Sequence, residues 1–266
     1  MAFVSGDSAV IHYPGRVAVV LSAVNCRASA PSGAPDSDHG SRRNQGQERS
    51  RPVSQRIWIV RHGNREDFQN PGWSKTAQRP FDPALSADGE TQAREVGLSL
   101  QGEQVHCIFA SPFLRTIQTA SHIADALDLS VRLEPGIGEI LPNVKSTPAL
   151  LPESERKRRF PRIDEDYTVI RELSYPENSE EGHERAAAAA HELTDRFPDK
   201  NLLMVTHGAP VVGIVRGLTG LKDRITVPLC CIFTLQRHGP GWEVVQLSET
   251  SHLSNQETSK RYAHSG

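Results

Sequence analysis

The chain has 266 residues, 30 Lys and Arg against 32 Asp and Glu, a formal net charge of −2 and 37% hydrophobic residues. About 200 residues make one ordinary α/β domain able to bury a substantial core, and the near-neutral charge speaks against nucleic acid as a partner. The longest amino-terminal apolar run, Val17 to Val24, is too short to span a bilayer, so no membrane partner is expected.

Residues 1–54 differ from the rest. From Pro31 to Ser54 the sequence is dominated by Ser, Gly, Pro, Arg and Gln with almost no large apolar residue, a composition expected to be disordered or to act as a linker. The run Val17 to Val24 followed by Ala28-Ser29-Ala30 passes as a weak signal region, but Asp7 precedes it. An organelle-targeting segment or an extension from a misplaced start codon fits at least as well. The folded domain is expected over 55–250, with a flexible tail over 251–266.

Ile57-Trp58-Ile59-Val60 reads as a buried strand and delivers Arg61-His62-Gly63 to its carboxyl end. An α/β sheet presents chemistry at such ends, and glycine lets the backbone turn sharply there. A lone histidine after a strand is more often structural, so partners have to come from elsewhere in the chain. Residues 68–84, with Pro71, Gly72, Trp73, Pro80 and Pro83, form a loop where a substrate rim is expected. Phe68 and Trp73 there read either as leaving-group contacts or as packing residues. A helix follows from Leu85, capped by Ser86, with Ala93, Val96, Gly97 and Leu100 on one face.

Three further apolar runs end in polar residues. Val105 to Ala110 leads into Ser111-Pro112 and a helix to Leu127, placing Arg115 in its first turn. Val131-Arg132-Leu133 leads through Glu134-Pro135-Gly136 to Glu139 in a glycine-rich loop. Asn201 to Thr206 leads to His207-Gly208 just before a helical pattern from Val211. Residues 141–178 are irregular and expected to cover the pocket, their Lys157-Arg158-Arg159 run reading as a solvated helix face. Glu180 to Phe197 is an alanine-rich helix stopped before Pro198. Cys230 to Leu235 and Trp242 to Leu247 read as an edge hairpin joined at 238–241. This alternation predicts an α/β three-layer sandwich with a mostly parallel central sheet flanked by helices. The four cysteines give no disulfide framework, which fits reduced thiols in a cytoplasmic compartment, organelle targeting by the extension being the alternative.

The order of four signals resembles the histidine phosphatase superfamily, also called phosphoglycerate-mutase-like: Arg61-His62-Gly63, Ser111-Pro112 with Arg115 and Thr119-Ala120, Glu139, and His207-Gly208. The resemblance covers about residues 55 to 250. It implies that His62 becomes phosphorylated, that Arg61, Arg115 and His207 hold the phosphoryl group, and that Glu139 is the acid and base, with Glu134 the competing carboxylate in the same loop. Asn64-Arg65-Glu66-Asp67-Phe68 and Val205-Thr206-His207 are similar in detail to the suppressor-of-T-cell-receptor-signalling phosphatases and the ecdysteroid-phosphate phosphatases. In that branch an arginine matching Arg65 lines the pocket. The Gly-Asn-Ser that usually follows the second histidine of a mutase is absent.

The chemistry asks for the same residue types. Phosphate monoesters hydrolyse so slowly that an enzyme must supply accelerations approaching ~10²¹. Neutral imidazole is a competent nucleophile, paired guanidinium groups bind equatorial oxygens, and a helix amino terminus favours an anion. The expectation is therefore a phosphomonoesterase acting on a small-molecule or peptidyl ester without cofactor or metal. The alternatives are mutase-type transfer and a non-catalytic member that binds phosphorylated ligands. A homodimer is left open.

Overall fold

The computed structural model describes residues 54–70 and 72–266, and the expectations for residues 1–53 lie outside them. In chain order the elements are β1 (Arg56–Arg61), α1 (Glu66–Gln69), α2 (Trp73–Thr76), α3 (Ala87–Ser99), β2 (Cys107–Ala110), α4 (Leu114–Leu127), β3 (Val131–Leu133), a 3₁₀ turn (Pro135–Ile137) and α5 (Glu153–Arg159). They continue with α6 (Ser179–Arg196), β4 (Leu202–Thr206), α7 (Gly208–Thr219), β5 (Thr226–Val227), β6 (Ile232–His238), β7 (Gly241–Glu249), α8 (Gln256–Arg261) and β8 (His264–Ser265).

Six strands form one sheet in the order β3-β2-β4-β1-β6-β7. The first four are parallel, and the β6–β7 hairpin continues the sheet antiparallel from β1. Strands buried on both faces read as unbroken apolar runs, which is why β1, β2 and β4 carry no polar alternation. Alternate residues still divide between two cores. Ile57, Ile59, Leu202, Met204 and Phe109 pack with α6 and α7, whereas Trp58, Val60, Leu203, Val205 and Ile108 pack with α3 and α4. Each such side chain contributes ~1.5–3 kcal/mol on burial, so the sheet and its two helical layers hold one another.

Local signals fix the helix ends. Ser86 caps α3 by accepting from the Gly89 amide, and Asn178 with Glu181 forms a capping box on α6. Cys230 and Cys231 precede β6 instead of lying in it, and they enter opposite cores. The basic run lies on α5, where Lys157 pairs with Glu153 and Arg159 with Glu155.

The carboxyl-terminal segment differs from the expected flexible tail. It forms α8 and then β8, which pairs antiparallel with β5. Leu253 and Ser259 are buried, and Ser259 Oγ donates to the Leu229 carbonyl at 2.6 Å. Its polar composition concealed this because the ordering comes from backbone pairing with β5 and contacts to loops distant in sequence.

Candidate active site

Two imidazoles meet at the carboxyl edge of the sheet. β1 and β4 are parallel neighbours with Arg61 opposite Thr206, so the residues that follow, His62 and His207, emerge at the same level. The His62 amide donates to the Thr206 carbonyl at 2.9 Å, and the ring centroids lie 5.3 Å apart at 66°. The turn after His62 depends on two glycines. A Cβ on Gly63 would lie 2.6 Å from the Gly89 carbonyl oxygen, and one on Gly89 only 2.0 Å from that of Asn64. Asn64 is in turn tied to α3, its amide donating to Gln92 and its side chain to Asp88.

His62 is fully buried, with Nδ1 2.8 Å from the Gly63 carbonyl oxygen. A carbonyl only accepts, so Nδ1 carries the hydrogen and Nε2 keeps its lone pair. Nε2 is buried with no hydrogen-bond partner. Burial, reinforced by the charges of Arg115 and Arg61, pushes the pKa well below the ordinary histidine value. The ring is therefore neutral at physiological pH.

Three arginines surround it. Arg61 uses both hydrogens of Nη1, donating to the Val227 and Tyr262 carbonyls at 2.7 Å each. Burial draws its pKa down to about 10, which still leaves it charged near pH 7. Arg115, 1% exposed in the first turn of α4, donates to Glu139 Oε2 at 3.2 Å and to the Phe81 carbonyl at 3.3 Å. Arg65 is partly exposed and pairs with Asp67 through both of its carboxylate oxygens. With Arg65 neutralised by Asp67 and one further carboxylate against Arg61 and Arg115, the pocket has an excess of positive charge. It suits an anion.

Glu139 completes the cluster. Its Oε2 lies 3.3 Å from His207 Nδ1, close enough for an ion pair though too poorly aligned for a hydrogen bond. The other nitrogen of His207, Nε2, is 2.7 Å from Ser111 Oγ. Burial raises the Glu139 pKa, but His207 and Arg115 outweigh it and hold the carboxyl well below the usual carboxylate range. Burial also draws His207 down to about 4 against the pull of Glu139. The resting pair is an ionised carboxylate beside a neutral imidazole. Nitrogen and oxygen atoms of His62, His207 and Glu139 lie within 4.8 Å of one another. That spacing also suits a metal ion, but Arg115 already occupies Glu139 Oε2, and two buried guanidinium groups oppose a further cation there.

Glu134 is placed differently. Its Oε1 accepts from the Gly136 and Arg171 amides, and its Oε2 from Tyr167 OH and the Ile170 amide, so both oxygens are taken up by its own loop and by residues 167–171. Glu139, not Glu134, stands beside His207 and Arg115. Phe68 also serves packing: Tyr262 stacks on its ring at 4.5 Å and the Arg65 guanidinium lies over it at 4.2 Å. Two groups that close occupy opposite faces, leaving neither face for a leaving group.

Three further residues brace the cluster, and of these the sequence motifs point only to Thr119. Thr119 Oγ1 accepts from the Gly63 amide, which ties α4 to the His62 turn. Arg185 donates to the Gly136, Gly138 and Glu139 carbonyls while pairing with Glu177. Tyr175 OH donates to the same Glu139 carbonyl at 2.6 Å. A signal for Arg185 existed: it lies beside Gly182, Ala186 and Ala189, the buried face of α6, where an arginine must be paired.

The profile of the histidine phosphatase superfamily (branch 1) matches residues 57–250. The chain belongs to that superfamily. It is 35% identical over 156 residues to human ubiquitin-associated and SH3 domain-containing protein A, covering 54% of this chain and 24% of that protein. It is 27% identical over 208 residues to the probable phosphoglycerate mutase GpmB of Erwinia tasmaniensis, covering 75% of this chain and 95% of that one. Among solved structures, the ecdysone phosphate phosphatase from Bombix mori in complex with tungstate superposes with a TM-score of 0.61 at 20% identity, over 74% of this chain and 93% of that one. This last likeness is one of fold. The chain spans about a quarter of the length of the human relative. No helix among the described residues is long and apolar enough to cross a membrane.

Proposed function

We propose that the protein is a metal-independent phosphomonoesterase that works through a phosphohistidine on His62. The observation that carries this reading is the His62 tautomer: Nδ1 is held by the Gly63 carbonyl, and Nε2 is buried, neutral and unpartnered beside Arg61 and Arg115. Membership of the superfamily supports it.

In the first step Nε2 of His62 attacks phosphorus, the bond from phosphorus to the ester oxygen breaks, and that oxygen takes a proton from Glu139. Arg61, Arg65, Arg115 and His207 hold the non-bridging oxygens, with the amino terminus of α7 behind His207. Glu139 is ionised in the resting pocket, but a phosphoryl dianion among the arginines offsets the positive field that holds its pKa down, so the carboxyl rises into reach of a proton. In the second step Glu139 takes a proton from water, the water oxygen attacks phosphorus, and the bond from phosphorus to Nε2 breaks to release orthophosphate. The charge surplus of the guanidinium groups does what a metal ion does elsewhere. A fairly bulky ester, small-molecule or peptidyl, is the preferred substrate, on the motif detail from Asn64 to Phe68 and the likeness to the ecdysteroid-phosphate phosphatase of Drosophila melanogaster, 26% identical over 244 residues.

The test is steady hydrolysis of p-nitrophenyl phosphate in the presence of EDTA, with loss of turnover in His62→Ala. Equal rates for wild type and variant would leave a phospho-ligand-binding protein instead. The likeness to a probable phosphoglycerate mutase over nearly all of its length supports a second reading, phosphoryl transfer between substrates. Formation of 2-phosphoglycerate from the 3-isomer, dependent on the bisphosphate, is its signature.

A further inference from the structure

We propose that Tyr262 is the positioning residue that sets both arginines flanking His62, which makes the carboxyl-terminal segment a working part of the phosphate pocket. The inference rests on the phosphomonoesterase reading above. Tyr262 reaches the two arginines with different atoms. Its carbonyl accepts from Arg61 Nη1 at 2.7 Å, and the second hydrogen of Nη1 goes to the Val227 carbonyl, also at 2.7 Å. The two acceptors are held close together, because Val227 in β5 pairs with His264 in β8, two residues after Tyr262 at the end of α8. With Nη1 pinned in this way, the buried Nε of Arg61 has no protein partner and its N–H is left for an oxyanion.

The ring acts on the other arginine. It stacks on Phe68 at 4.5 Å and 13°, its hydroxyl donates to the Phe68 carbonyl at 3.1 Å, and the far face of Phe68 carries the Arg65 guanidinium at 4.2 Å. Tyr262, Phe68 and Arg65 thus form a stack that ends in a cation, while the carbonyl of the same tyrosine holds Arg61. Asp67 grips Arg65 in line with this, through its Nε and Nη2. A planar guanidinium held in place before binding loses less freedom when an oxyanion arrives, so the stack raises affinity without touching the ligand.

The segment that carries Tyr262 is itself fixed. Ser259 Oγ donates to the Leu229 carbonyl and the Leu229 amide donates back to Ser259. Ile225 and Gly266 exchange both backbone hydrogen bonds, at 3.1 and 3.2 Å. His264 packs against Gly208, the first residue of α7, so closely that a Cβ there would sit 2.6 Å from the His264 Cβ. This strap reaches the residue next to His207 as well as Arg61.

The experiment compares wild type, Tyr262→Ala and Tyr262→Phe in the full chain, measuring orthovanadate affinity by calorimetry and KM and kcat with p-nitrophenyl phosphate. Loss of an aromatic stack and of a cation held over it is expected to weaken vanadate binding and raise KM by roughly tenfold. The kcat should fall less than KM rises, and Tyr262→Phe should restore both constants to within about twofold. In an Arg65→Ala background the same Tyr262→Ala change should have a smaller effect, because part of its route is gone. A lower melting temperature with vanadate affinity and KM unchanged would overturn the proposal, as would equal effects in the two backgrounds together with an intact KM. Should the alanine variant not fold, Tyr262→Leu fills more of the space than alanine and lacks the aromatic face. Wild type that binds vanadate without hydrolysing any ester would count against the phosphomonoesterase reading, while the binding arm still decides the role of Tyr262.

Discussion

Glu139 Oε2 lies 3.3 Å from His207 Nδ1, and the two residues reach that contact from loops following different strands. Burial holds His207 down to about 4, whereas the unfolded chain titrates near 6.5. Between those values the unfolded state binds the extra proton, so stability falls as pH drops through that window. Glu139, also held low, adds loss of the same sign further into acid. The melting temperature should therefore decline steadily from pH 7 to pH 4, and His207→Asn should flatten the decline. A slope that the variant leaves unchanged would remove His207 from this account.

The proposed nucleophile, His62, sets a second expectation. Because His62 titrates well below 6.5, kcat/KM for p-nitrophenyl phosphate should show no acid limb at pH 6.5 once ionisation of the substrate is allowed for. A limb centred there would mean that the ring is solvated in the working enzyme.

The two carboxylates of one loop should separate by leaving group. Glu139→Gln is expected to lower kcat by ~10²–10⁴ with an alkyl phosphate, whose oxygen needs a proton, and by less than about tenfold with p-nitrophenyl phosphate. Glu134→Gln puts an amide against backbone donors and should cost ~1–3 kcal/mol of stability with no dependence on leaving group. Reversal of these patterns in parallel rate and denaturation series would exchange the two roles.

Arg185 holds the Glu139 loop without facing the pocket. Replacing it by methionine leaves Glu177, 7% exposed, unpaired, and should cost ~3–5 kcal/mol. The pair Arg185→Met with Glu177→Leu should recover much of that stability, as read by urea titration. Alkyl phosphate turnover should stay depressed in the double variant, because the Gly136 and Gly138 carbonyls have lost their donor and the Glu139 carbonyl keeps only Tyr175. Full recovery of turnover would reduce Arg185 to a packing residue.

Gly89 offers a test that alters no titrating group. A Cβ there meets the Asn64 backbone oxygen at 2.0 Å, so Gly89→Ala must push the His62 turn away from α3. We expect a loss of ~1–3 kcal/mol, since neither backbone gives way easily, together with a fall in kcat. A variant as stable and as active as wild type would show that the turn has room.

Much of this molecule is determined by local sequence. Apolar runs such as Ile57 to Val60 and Leu202 to Val205 read as strands buried on both faces, and an α/β sheet lets the polar residues at their ends converge at one edge. Ser86 and Asn178 announce their helices because capping is a contact between near neighbours in the chain. The choice between Glu134 and Glu139 was not legible, since it depends on donors from Tyr167, Ile170 and Arg171 that reach only one of them. The same holds for Tyr262. Within 251–266 the Asn255 cap of α8 is a local signal, but backbone pairing with β5 and a ring stacked on Phe68 are contacts that long-range folding alone creates. Sequence determined which residue types line the sheet edge. Tertiary structure decided their partners, because burial, tautomer and pKa depend on the groups that packing brings within a few ångströms.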